Sequence, residues 1–89
     1  MQSYKFLISG HVQGVYYRMN VAKNAKIEGF NGYVMNLKDG RVKACVSCDE
    51  NEIEQFKAIL QKGSSTSKVT GIEQSLCAEQ FTTAFEVRK

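Results

Sequence analysis

The chain has 89 residues, enough for one hydrophobic core and too few for two, so it reads as a single domain spanning 1–89. Hydrophobic residues make up 43% and charged residues 24%, an ordinary folded balance that excludes disorder and fibrous repeats. Twelve Lys and Arg against nine Asp and Glu leave +3, an excess that suits small anions and falls short of the clustered basic face that duplex binding needs.

From the N-terminus, residues 3–9 set Tyr4, Phe6 and Ile8 against Lys5, Leu7 and Ser9. That period-two alternation predicts a half-buried strand. Residues 10–15, Gly-His-Val-Gln-Gly-Val, then predict a tight loop with its backbone turned outward. A helix is expected from Tyr17 or Arg18 toward Glu28, with Val21, Ala22 and Ala25 at helical spacing and Gly29 as the residue beyond its C-terminus.

Residues 32–37 and 41–47 read as strands joined by Lys38-Asp39-Gly40, whose Asp-Gly pair signals a hairpin turn. Asp49 and Glu52 have capping-box spacing ahead of a second helix buried through Ile53, Phe56, Ile59 and Leu60, and Gly63 ends it. Residues 64–67, Ser-Ser-Thr-Ser, are expected to be a flexible connection, and residues 69–76 and 82–88 to be late strands. The order strand, helix, strand, strand, helix, strand with a short last strand matches a ferredoxin-like α+β sandwich. Its antiparallel sheet carries two helices on one face. In that topology the first two strands run the same way with the third between them, so both of their C-terminal ends lie at one side of the sheet.

This arrangement brings the glycine loop, Arg18 and Asn36 into one neighbourhood, two strand spacings or ~10 Å across. Successive backbone N–H groups of Gln13, Gly14, Val15, Tyr16, Tyr17 and Arg18 are candidates for an anion nest, aided by the positive end of the first helix. Arg18 offers a planar fork that matches two phosphoryl oxygens, though an arginine at a helix start also reads as a solvated side chain. The Asn36 amide has the donor and acceptor needed to orient a water, and reads equally as a turn asparagine bonding its own backbone. Asp39 and the acidic residues around Glu52 are read as structural. Tyr16 and Tyr17 are read as core or rim aromatics.

Cys45, Cys48 and Cys77 are an odd set without the second Cys pair of a zinc site, so no metal is expected. Cys48 precedes a helix start, the position a redox thiolate would take, but buried or idle thiols are the simpler reading. No apolar run has the length of a signal peptide or a membrane span, and the cytoplasm is the expected address.

Gly10-x-Val12-Gln13-Gly14-Val15-x-Tyr17-Arg18 resembles the first acylphosphatase signature, with tyrosine for the usual phenylalanine. Gly29-Phe30-x-Gly32-Tyr33-Val34-x-Asn36-x-x-Asp39-Gly40-x-Val42 resembles the second, at the matching separation. The resemblance spans nearly the whole chain. It implies hydrolysis of acyl phosphates to a carboxylate and inorganic phosphate by water attack, without metal or organic cofactor. Arg18 and the backbone of residues 13–18 would bind the phosphoryl group, and Asn36 would hold the attacking water. Tyr33, Met35, Val21, Glu28 and Lys43 stand where the family often has tryptophan, arginine, threonine, leucine and glutamate. Val21 brings no supporting hydroxyl, and Glu28 leaves the end of the first helix open.

The expected partners are a small acyl phosphate, with inorganic phosphate or sulfate as competing anion, and neither nucleic acid nor membrane. A monomer is the default state. The alternative function is a non-catalytic ferredoxin-like module that binds an anion or a partner.

Overall fold

Residues 2–88 are described in the computed structural model, and alternation along the first ten of them sets the two faces of the sheet. In β1 (Gln2–His11) Tyr4, Phe6 and Ile8 are buried while Lys5, Leu7 and Ser9 are only partly covered. The strand runs through Gly10 and His11, which the sequence reading assigned to the loop, because a bulge at Ser9/Gly10 lets pairing continue to Lys68. Helix α1 (Tyr17–Ile27) buries Tyr17, Val21, Ala22 and Ala25. Glu28 closes it in helical conformation and Gly29 follows at φ 84°, so the substitution at 28 leaves the helix end where it was expected.

Strands β2 (Asn31–Asn36) and β3 (Val42–Cys48) form the hairpin around the Asp-Gly turn. Asp39 Oδ1 accepts the Arg41 amide at 3.0 Å and Oδ2 accepts Arg41 Nε at 2.8 Å, the structural role expected of it. These bonds to Arg41 also hold the Asp39 carboxyl below its ordinary range. The chain then makes a 3₁₀ turn (Glu50–Glu52), in which Glu52 Oε1 accepts the Asp49 amide at 3.0 Å, before α2 (Ile53–Lys62). Ile53, Phe56, Ile59 and Leu60 are the buried face of that helix. Phe56 is the aromatic hub of the core, with ring centroids 5.4 Å from Phe6, 5.3 Å from Phe30 and 5.7 Å from Phe85.

The last strands are β4 (Lys68–Cys77) and β5 (Glu86–Arg88), and the sheet order is β4-β1-β3-β2-β5. Neighbouring strands among β1 to β4 pair antiparallel, as expected, but β5 lies parallel to β2, so the five-stranded sheet is mixed. The register dictates this outcome. Ser3 pairs with both Cys77 and Ser47, and Ser47 pairs with Asn31, so β4 ends on the side of the sheet where β2 begins. A connection crossing to the far edge must therefore leave β5 running with β2.

That crossing passes over the face opposite the helices. Phe81 packs edge-on to Tyr33, with centroids 5.5 Å apart, and joins Tyr33 and Cys45 in a second, smaller buried cluster. The Phe81 amide donates to Ser47 Oγ at 2.9 Å, and Ser47 shares a 2.6 Å hydroxyl contact with Ser3. The expected strand over 82–88 shortens to Glu86–Arg88 because the earlier residues are taken up by this cover. Phe81→Ala should cost about 3 kcal/mol, read as a lower urea midpoint with unchanged slope.

Candidate active site

The sheet end opposite Phe81 gathers the residues singled out above. Ile8 and Asn36 both pair with Val42, so the exits of β1 and β2 flank the start of β3. Asn36 shares its face with Val34, whose side chain lies in the helix-covered core, so its amide is on the α1 side of the sheet. Asn36 Oδ1 is buried and has no hydrogen-bond partner among the described residues. An orphaned buried oxygen of this kind costs about 1–3 kcal/mol and calls for a functional explanation. The turn-asparagine reading fails, because that role would have given the amide a backbone partner.

The loop after β1 turns sharply into α1. Gly14 has φ 73°, and Tyr16, which immediately precedes the helix, has φ 61° and ψ 20°, both left-handed. Tyr16 carries a strained backbone that an L residue adopts at a cost of about 1–2 kcal/mol. The result is a helix start with no side-chain cap among the described residues and no acidic residue in its first turn. Its free N–H groups and positive dipole end are left for an anion.

A cavity of about 330 Å³ opens here, lined by Gly14, Tyr16, Tyr17 and Arg18 together with Val12, Met19 and Val87. A Cβ built on Gly14 meets no protein atom within 4 Å, so glycine is required by its φ and keeps the loop backbone bare toward the cavity.

Every side of the loop is tied down. Gln13 Nε2 donates to the Leu37 carbonyl at 2.8 Å and to the Arg41 carbonyl at 3.0 Å, joining the loop to the hairpin that carries Asn36. The Val15 carbonyl accepts Ser64 Oγ at 2.5 Å and Thr66 Oγ1 at 3.5 Å. Tyr17 is buried, and its hydroxyl donates to the Leu60 carbonyl at 2.8 Å, with burial pushing the phenol well above its usual range. The serine-rich stretch was expected to be a flexible connection. It is instead a brace, closed on itself by the Ser64 amide on Ser67 Oγ at 2.9 Å.

Arg18 is half-buried and aimed by β5: its Nη1 donates to the Arg88 carbonyl at 2.8 Å. Arg88 pairs with Met35, the neighbour of Asn36, so the β5 backbone links the guanidinium to the β2 exit. Arg88 in turn lies 4.0 Å from the Tyr33 ring centroid, stacked on it. With one nitrogen held, the rest of the Arg18 fork has no hydrogen-bond partner among the described residues and has the donors to meet an oxyanion. Of the residues expected at the site, Val15 and Tyr17 turn their side chains into the core, Gln13 uses its side chain as a clamp, and Tyr16 is exposed at the rim. The braces from Leu37, Ser64, Thr66 and Arg88 were not anticipated. Their only trace in the sequence is a polar stretch, a hairpin and a short final strand.

The cysteines do not form a site. Cys45 and Cys48 stand three residues apart in one strand, so they lie on opposite faces: Cys45 in the Phe81 cluster, Cys48 in the main core. All three thiols are free among the described residues, where no three His, Cys, Asp or Glu side chains come together. Burial, then the charges of Glu52 and Asp49, push the Cys48 thiol up to about 11, the reverse of a redox thiolate. At pH 8 iodoacetamide should therefore mark Cys77, which is partly exposed, and spare Cys48 until denaturant is added. Because the folded protein holds the Cys48 proton more tightly than the unfolded chain, stability from this group is complete below pH ~9 and declines as pH rises toward 11.

The family model described as Acylphosphatase matches residues 4–87. The acylphosphatase of Alkalilimnicola ehrlichii is 36% identical over 86 residues, which cover 97% of each chain. That of Methanocella arvoryzae is 38% identical over 88 residues, covering 99% of this chain and all of the other. The crystal structure of acylphosphatase from Bacillus subtilis superposes with a TM-score of 0.90 at 31% identity, covering 100% of both chains.

Proposed function

Because the chain belongs to the acylphosphatase family, enzymes that hydrolyse acyl phosphates to a carboxylate and inorganic phosphate, we propose that residues 13–18 are its phosphate-binding loop and that Arg18 and Asn36 are its catalytic residues. The observation that carries this reading is the uncapped start of α1 behind Gly14 and Tyr16, sharing one cavity with Arg18. The amides of residues 13–18 receive the phosphoryl oxygens, and the Arg18 guanidinium binds them from the side of β5. Asn36 Oδ1 accepts a hydrogen bond from the attacking water. Its need for a donor is met only when that water is in place.

Water attacks phosphorus, the bond from phosphorus to the bridging oxygen breaks, and the bonding pair leaves on the carboxylate. One water proton passes to a phosphoryl oxygen and the other to solvent as phosphate is released. A carboxylate is a weak base of pKa ~4, so its departure needs no general acid. Charge developing over the equatorial oxygens meets donors fixed in advance, which is the larger part of the rate gain in phosphoryl transfer. The role of Asn36 is distance and direction. No metal or organic cofactor takes part in this scheme. The chain acts as a monomer in the cytoplasm, and inorganic phosphate or sulfate competes for the loop.

Steady-state hydrolysis of an acyl phosphate tests these assignments. Arg18→Ala should lower kcat/KM about a thousandfold, and activity should persist in chelator. Asn36→Ala should lower kcat about a hundredfold while the urea midpoint holds or rises, because the substitution removes a buried oxygen that the fold never paired. Full activity in Asn36→Ala overturns its role, and loss of activity on chelation overturns the metal-free scheme.

A further inference from the structure

Among the described residues five large apolar side chains are exposed: Tyr16, Met19, Ile27, Leu76 and Val87. Single exposed hydrophobics are ordinary, but a cluster beside a polar site marks a binding surface. Four of these five line two adjoining cavities. The first, of about 330 Å³, is the one floored by Gly14 and Arg18. The second, of about 520 Å³, runs on between α1 and β5 and shares Met19 and Val87 with it. Met19 is 63% exposed and Val87 is 43% exposed, although one lies a single residue beyond Arg18 and the other a single residue before the carbonyl that holds Arg18.

The chemistry of the substrate supplies the occupant. In an acyl phosphate the acyl carbon is separated from phosphorus by a single bridging oxygen, so a phosphoryl group seated between Gly14 and Arg18 leaves the acyl group within the same cavity. The walls it meets there are apolar. Among the described residues Arg18 is the one charged side chain lining the first cavity, whereas Lys23, Lys26 and Glu86 line the second. We propose that Met19 and Val87, with the exposed ring of Tyr16, form an acyl subsite, and that the enzyme selects carboxyl phosphates bearing an aromatic or branched aliphatic acyl group over acetyl phosphate. The subsite rests on the placement of the phosphoryl group in the loop.

The test compares benzoyl phosphate with acetyl phosphate in the wild-type chain and in the Met19→Gln, Val87→Thr double variant. Both substitutions keep the local backbone preference, helical for Gln and extended for Thr. The expected wild-type preference for benzoyl phosphate is about tenfold in kcat/KM, carried by KM. The double variant should reduce it to about twofold or less while its constants for acetyl phosphate stay within about twofold of wild type. Competitive inhibition supplies a second readout without turnover: phenylphosphonate should outcompete methylphosphonate in the wild type, and lose that advantage in the variant. Equal use of the two substrates, or a preference that survives both substitutions, overturns the subsite and leaves the phosphate-binding reading intact. No hydrolysis of either substrate by the wild type overturns that reading and the subsite with it.

Discussion

The left-handed turn at Gly14 and Tyr16 is the constraint on which the remainder depends. A helix that began with a side-chain cap would satisfy its own first-turn amides and have nothing to offer an anion. Here the cap position is held by a tyrosine at φ 61° that supplies no side-chain bond. The chain accepts both the backbone strain of Tyr16 and the unsatisfied donors. Such a conformation persists only where surrounding structure over-determines it. The surroundings do so from three directions: Gln13 on the hairpin carbonyls, Ser64 and Thr66 on the Val15 carbonyl, and the buried Tyr17 ring with its hydroxyl on Leu60. The close fit behind that ring is visible at Gly63, where an added Cβ would come within 2.6 Å of Tyr17.

Loop rigidity and core stability are therefore one property. The side chains of Val15 and Tyr17 are core residues, while the proposed role at the anion falls to their main-chain amides. Under that proposal the residue types at these positions are free to serve packing, because recognition is delegated to the backbone. A tightly packed core then fixes the amides in place before substrate arrives, which is the condition for electrostatic stabilisation without reorganisation during the reaction.

Much of this was legible in the residues. Period-two alternation in β1, helical spacing around Phe56 and the Asp-Gly turn each depend on neighbours in sequence, and all three elements formed, with β1 running on into the expected loop. Topology alone then brought the Arg18 loop and Asn36 to the same sheet end. The parallel pairing of β5 and the Phe81 cover were not legible, since they follow from register across three strands and from where the chain exits β4. Nor were the braces. Gln13, Ser64 and Thr66 have the composition of solvated loop residues, and only their distant carbonyl partners distinguish them. Asn36 was ambiguous for the same reason: its amide type fits a turn as well as a water, and the missing partner at Oδ1 is a fact of three dimensions.

The two ends of the sheet divide the work. At one end Ser3, Ser47 and the Phe81 amide form a closed set of hydrogen bonds whose function is to hold the crossing segment down. At the other, among the described residues, Asn36 Oδ1 has no partner and the start of α1 has no side-chain cap. The crossing segment connects the two, because the strand it delivers carries the Arg88 carbonyl that aims Arg18 and the stack on Tyr33 that steadies Arg88. The satisfied end therefore supports the unsatisfied one: the polar pairing that stabilises the fold near Phe81 also determines where the guanidinium stands. Positioning of the guanidinium is thus concentrated in β5, the shortest strand of the sheet.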